Sequence, residues 1–190
     1  YRDRLINLFN DRLSETEIST QRGLPPYVLR QILECNPLST FIPDSYGGRG
    51  AKTHEALSML GTSSYQSLPE EAKKEVFTRF LKEKPMGGLM ITEPDFGSDA
   101  LRMQTSFQKK GDSYEVKGLK HWAGLTGWAD YWLITARGCD ENGKLSRDIG
   151  FFVHETHRGG VEVKEYYKNL GLYMLPYGRN KIDIKVPQNY

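Results

Sequence analysis

Cysteine is scarce. Cys35 and Cys139 are the two in a chain of 190 residues, too few for a disulfide framework. Free buried thiols in a reducing compartment are the expected state, with a single bridge as the alternative. Long apolar runs are missing too. The stretch from Tyr131 to Ala136 is among the longest, far short of the ~20 residues that cross a bilayer, so no membrane span is expected. The first residues are charged and carry no apolar signal core. Charge of one sign is not in excess: 26 basic side chains face 24 acidic ones, a formal charge of +2. That balance argues against a dedicated nucleic-acid or membrane-surface binder. Nucleotide fingerprints are also lacking. Gly47-Gly48-Arg49-Gly50 has neither the P-loop lysine nor the dinucleotide spacing, and there is no Gly-x-Ser-x-Gly elbow. His154 and His157 lie three apart, but no cysteine or carboxylate motif completes a metal set. On a strand they point to opposite faces, and no metal is expected.

What is present is ordinary for a globular chain: 38% hydrophobic and 26% charged residues, on the scale of one large domain or two small ones. The first part reads as helical. Leu5, Ile6, Phe9 and Leu13 recur at helical spacing. Pro25-Pro26 opens a second helix with Val28, Leu29, Ile32 and Leu33 on one face, ended by Asn36-Pro37. A turn-rich stretch runs from Ile42 to Gly50, and a short third helix from Thr53 to Leu60. Ser67 and Glu70 have capping-box spacing ahead of a helix that turns Ala72, Val76, Phe77, Phe80 and Leu81 inward and stops before Pro85.

From about Gly87 the period changes from 3.6 to 2. Lys110-Gly111-Asp112 is a hairpin turn before Ser113 to Lys117. Further strands are expected at Tyr131 to Ala136, Ile149 to Val153, Val161 to Glu165 and Lys181 to Val186. In the last, Ile182, Ile184 and Val186 alternate with Lys181, Asp183 and Lys185. The fold class is therefore α+β in two domains. An N-terminal all-α helical domain spans 1–86, and a small all-β barrel spans 87–190.

Two stretches are chemically dense. In Leu89-Met90-Ile91-Thr92-Glu93-Pro94-Asp95-Phe96-Gly97-Ser98-Asp99, Pro94 holds Glu93 extended. Gly97 permits close backbone approach, and Ser98 and Asp99 offer acceptors and turn amides. Such a bend suits a polar planar ring or an anion, or is a plain strand-to-loop turn. In Gly118-Leu119-Lys120-His121-Trp122-Ala123-Gly124 and the residues to Trp132, three tryptophans crowd together. A Trp beside small neighbours can lie flat on a planar ligand, or all three can fill a core.

Ile91 to Asp99 resembles the acyl-CoA dehydrogenase signature, Thr-Glu-Pro-x-x-Gly-Ser-Asp, and the downstream order is similar too. Gly118-Leu119-Lys120-His121-Trp122 resembles the family's Gly-x-Lys-x-Trp. Asn169-Leu170-Gly171 and Val186-Pro187 look like its last middle-domain strands. The resemblance runs along the whole chain.

It implies an FAD enzyme that oxidises the Cα–Cβ bond of an acyl-CoA thioester, with an electron-transfer flavoprotein as acceptor. It also implies a homodimer or homotetramer in the cytoplasm, or in the mitochondrial matrix of a eukaryote. Leu89, Met90, Ile91 and Thr92 are then expected along the flavin ring, with Thr92 at its pyrimidine end. Gly97 and Ser98 fall near the FAD pyrophosphate, with Ser98 also near the pantetheine arm of the substrate. Trp122 packs on the isoalloxazine. Gly124 stands where the family usually has a threonine or serine bonded toward flavin N5. No catalytic residue is assigned within the chain. The family's glutamate base belongs to a C-terminal helical domain that this sequence lacks, and Glu93 is not that base. A fragment of this kind is expected to hold FAD weakly or not at all and to be a poor enzyme. The stretch between Leu60 and Glu70 is shorter than in the family, and Leu172-Tyr173-Met174-Leu175-Pro176-Tyr177 departs from its arginine and small residues. These departures keep two alternatives open: a same-fold oxidase or monooxygenase, and a non-catalytic binding module.

Overall fold

The computed structural model describes residues 3–4, 6–7, 25–40, 42–50, 69–172 and 175–188. Most of the first expected helix, the Thr53 to Leu60 helix, Ser67 and nearly all of the shortened 61–69 stretch lie outside the described residues.

Helix α1, Pro26–Glu34, starts with proline in its first turn, where a missing N–H costs nothing. Only Val28 of its apolar face is fully buried. Asn36 ends it with a φ of 49°, and its Nδ2 donates to the Leu81 carbonyl at 3.1 Å. Helix α2, Glu70–Glu83, has two acidic residues in its first turn and Lys82 in its last, both favourable to the helix dipole. Lys84, at φ 53°, closes it before Pro85. Glu70 is the first helical residue rather than the third. Pro69 stands at the N-cap, and the Glu70 carboxylate accepts from the Tyr46 hydroxyl and from Lys73.

Seven strands follow: β1 Gly87–Met90, β2 Ser106–Lys110, β3 Ser113–Gly124, β4 Tyr131–Cys139, β5 Leu145–Glu155, β6 Val161–Tyr166 and β7 Tyr177–Pro187. They form one sheet in the order β1-β4-β2-β3-β7-β6, with β5 on β4. The expected barrel is a curled half-barrel. β5 pairs with β4 and β6 with β7, and among the described residues no pairing joins β5 to β6 to close the sheet. Strand β7 alternates as its sequence requires, with Ile182, Ile184 and Val186 buried and Lys181, Asp183 and Lys185 exposed.

Strand β4 is buried on both faces, which is why it reads as one apolar run. Trp132, Ile134 and Ala136 join the core inside the curl, with Met90, Val116 and Phe152. Tyr131 and Leu133 face the other way, onto Val76, Phe77 and Phe80 of α2. The described helical residues therefore pack into a core shared with the sheet. Arg79 of α2 adds an ion pair to the buried Glu155 of β5 at 2.5 Å.

β1 and β2 both lie parallel to β4, β1 along Tyr131–Ile134 and β2 at Arg137 and Gly138. Residues 91–105 are thus an excursion that leaves β4's side and returns to it. One glycine is needed where this excursion ends. A Cβ on Gly118 would sit 2.2 Å from Thr105 Oγ1 and 2.6 Å from its Cα. We expect Gly118→Ala to lower stability by about 1–3 kcal/mol, read from the urea midpoint. An unchanged midpoint would show that Thr105 moves freely.

Candidate functional site

The excursion is pinned by a buried ion pair. Glu93, 4% exposed, accepts from the backbone N–H of Gln104 at 2.6 Å and of Thr105 at 2.9 Å. Its Oε1 also takes the Lys120 ammonium at 3.0 Å. Lys120 is fully buried and donates to the Ile91 carbonyl at 2.9 Å and to Thr135 Oγ1 at 3.2 Å. Burial opposes ionisation of Glu93, but the hydrogen bonds from Thr105 and Gln104 and the Lys120 ammonium outweigh it and hold the carboxyl below the usual range. Burial lowers the Lys120 pKa, with Glu93 pulling the other way. Both acceptor oxygens of Glu93 are engaged, which fits a structural carboxylate rather than a free base.

The two dense stretches meet here. The His121 N–H donates to the Thr92 carbonyl at 2.7 Å. Beyond Thr92 the chain turns tightly, with Glu93 and Phe96 exchanging backbone bonds of 3.1 and 3.3 Å. The Thr92 N–H and hydroxyl have no partner among the described residues.

Trp122 sits where β3 and β7 slip register between Lys120 and Ala123. The bulge puts it at φ 53° and turns the indole outward, 54% exposed. Tyr167 packs on it with ring centroids 4.6 Å apart, a neighbour that the sequence did not announce. Trp122, Tyr177 and residues 168–172 line a cavity of about 550 Å³, within the range of about 300–1,000 Å³ usual for ligand clefts. The tryptophans thus divide: Trp132 fills the core at 1% exposure, and Trp122 faces out.

The other expected site residues are placed as follows. Met90 is fully buried and Leu89 half-buried, both with side chains in the cores, so only their backbones are on offer. Ile91 and Thr92 are half-buried. Gly97 and Ser98 are exposed, and a Cβ on Gly97 would meet nothing within 4 Å. Gly97 has an ordinary φ as well as this open space, so no contact within the described chain demands a glycine there. Gly124 is half-buried, with the Tyr177 ring 3.5 Å from where its Cβ would be. Among the described residues no group of three His, Cys, Asp or Glu could hold a metal. None of the described helices is long and apolar enough to cross a membrane. His154 bonds the Gly159 carbonyl at 2.7 Å, and Cys35 and Cys139 are free thiols.

Residues 88–183 match the family model for the acyl-CoA dehydrogenase middle domain. The chain belongs to the acyl-CoA dehydrogenase family. It is 28% identical over 169 residues to a probable medium-chain specific acyl-CoA dehydrogenase 2 of Caenorhabditis briggsae, described as mitochondrial, covering 77% of this chain and 41% of that one. The structure of butyryl-CoA dehydrogenase from Megasphaera elsdenii shares the fold with a TM-score of 0.82 at 20% identity, over 99% of this chain and 57% of that one. A glutaryl-CoA dehydrogenase from Mycobacterium smegmatis, solved in complex with FADH2, matches with a TM-score of 0.72 at 21% identity, over 99% and 54%. The chain spans half or less of the length of the curated relatives it matches.

Proposed function

We propose that this chain supplies the flavin-binding half of an FAD-dependent acyl-CoA dehydrogenase. The observation that carries the reading is the meeting of the two motifs. The His121–Thr92 bond brings Thr92 donors that have no partner among the described residues and an outward Trp122 onto neighbouring backbone. A flavin needs both an apolar ring face and donors for its polar edge, and the residues present fit it. Trp122 offers the face, Thr92 the donors, and Gly97 and Ser98 an open approach for phosphate oxygens. Leu89, Met90 and Ile91 contribute backbone, and Gly124 lies beside Tyr177, which lines the cavity. The fit is supported by a family member solved with FADH2. Bound FAD supplies the hydride acceptor. The chain's own residues orient it and exclude water from one side. In this reading the base lies in a C-terminal helical domain outside the chain. The 1–86 and 87–190 division, the homo-oligomer and the electron-transfer flavoprotein acceptor belong to the same reading.

The test is anaerobic mixing of the flavin-loaded protein with a panel of acyl-CoA thioesters. Bleaching of the visible flavin bands by one thioester is expected and names the substrate class. Bound flavin that no thioester bleaches would contradict dehydrogenation.

Gly124 favours a second reading, a same-fold flavoenzyme that reacts with oxygen. It lacks the hydroxyl that the family resemblance places near N5, although a Cβ there would make only ordinary contact with the Tyr177 ring at 3.5 Å. We expect Gly124→Ser to fold with an unchanged melting temperature and to slow flavin reoxidation by oxygen relative to the parent. Faster reoxidation, or loss of the fold, would contradict this view of the position.

A further inference from the structure

A fully buried lysine is an expensive choice for a strand core. An apolar pair of similar volume in place of a buried ion pair is often as stable or more so, so stability alone does not account for Lys120. Its contacts do. The ammonium donates to the Ile91 carbonyl at 2.9 Å, to Glu93 at 3.0 Å, to Thr135 Oγ1 at 3.2 Å, and lies 3.7 Å from Met103 Sδ. The Ile91 carbonyl belongs to the same peptide unit as the Thr92 N–H, which has no partner among the described residues. On the far side of Thr92, the carbonyl takes the His121 N–H. The Ile91–Thr92 peptide is therefore held at its carbonyl by a charged donor, and in a trans peptide its own N–H points the opposite way.

We propose that Lys120 is a positioning residue that polarises the Ile91–Thr92 peptide and so strengthens the Thr92 N–H as a donor to the reduced flavin. The inference rests on the flavin reading above. A hydrogen bond accepted by a peptide carbonyl from a cation strengthens the bond its N–H can give, and the effect is larger out of water. Reduction adds electron density to the ring system, and donors to the ring nitrogens and carbonyls favour that state. Glu93 offsets part of the ammonium's field. Its oxygens, however, are also drawn to the Gln104 and Thr105 N–H groups, which leaves the peptide as the ammonium's uncharged backbone partner.

The experiment compares the protein as the cell makes it, loaded with FAD, with K120M and K120R. Flavin midpoint potential is read by dye-coupled reduction, and melting temperature is read separately. K120M is expected to weaken the preference for reduced over oxidised flavin about tenfold, a fall of about 30 mV for a two-electron couple. K120R, which keeps the charge, is expected to stay within about threefold of the parent. Should K120M not fold, K120Q reads the same loss of charge with a shorter donor and a smaller fall. A variant that keeps FAD at the parent potential while melting lower overturns the proposal, because a merely structural lysine behaves that way. A parent protein that takes up no FAD overturns the flavin reading itself, and this inference with it.

Discussion

Trp122→Ala lowers FAD affinity by roughly 10–100-fold and leaves the melting temperature of the flavin-free protein nearly unchanged. The affinity loss follows from ring stacking, worth about 1–3 kcal/mol per aromatic–base contact when truncated. The unchanged stability follows from the bulge. The indole is 54% exposed and has left the core to Trp132. Its contacts are lateral, with Tyr167 at 4.6 Å and His121 at 6.4 Å between ring centroids. Alanine keeps the strain of the φ of 53°, so the substitution removes the ring and little else. Equilibrium dialysis against FAD and a thermal melt separate the two effects. A large fall in melting temperature would mean that the ring is a structural plug. Unchanged affinity would move the flavin elsewhere.

Removing either partner of the Glu93–Lys120 pair is the most damaging change expected for the fold, about 3–5 kcal/mol. Glu93→Ala strands a buried ammonium and frees the Gln104 and Thr105 N–H groups, which close residues 91–105 back onto the sheet. K120M leaves a carboxylate with no counter-charge at 4% exposure. The double variant E93Q/K120M removes both charges and is expected to be more stable than K120M alone, since the residual cost is polar rather than ionic. Strict additivity of E93Q alone and K120M alone in the double variant, read by urea denaturation, would show that the pair does not couple.

The pH dependence has a fixed sign. Glu93 has a folded pKa below its unfolded value, which is about 4.3. Its contribution is therefore complete above that pH and is lost as pH falls through the lower folded value. His154 adds to acid sensitivity. Burial lowers its pKa, partly countered by the Gly159 carbonyl. Protonation therefore favours the unfolded chain, and stability declines as pH falls from about 6.5.

Much of the fold is legible in the sequence because the period changes once, from 3.6 to 2, near Gly87. The face of α2 carrying Val76, Phe77 and Phe80, and the alternation of β7, follow directly from spacing. β1 was hidden because Gly87–Met90 is four residues long with two glycines. A Cβ on Gly88 would collide with the Trp132 ring at 2.3 Å, a constraint that only the folded register reveals. The open edges of the curled sheet were not legible either, since strand spacing is the same in an open sheet and a closed one. At the site, motif order pointed to Thr92 and Trp122. The pairing of Glu93 with Lys120 joins residues 27 apart in sequence, and no local pattern reports it. Tyr167 was equally silent, as one of eleven tyrosines distinguished only by the turn after β6.

The central claim is that the Thr92 segment and Trp122 form one flavin face. Its most direct test is the visible absorption spectrum of the purified protein, as the cell makes it, after incubation with FAD and gel filtration. Flavin bands that co-elute at one FAD per chain, and that are lost in Trp122→Ala, are the predicted result. A colourless protein, or bands that persist undiminished without the indole, would contradict the account.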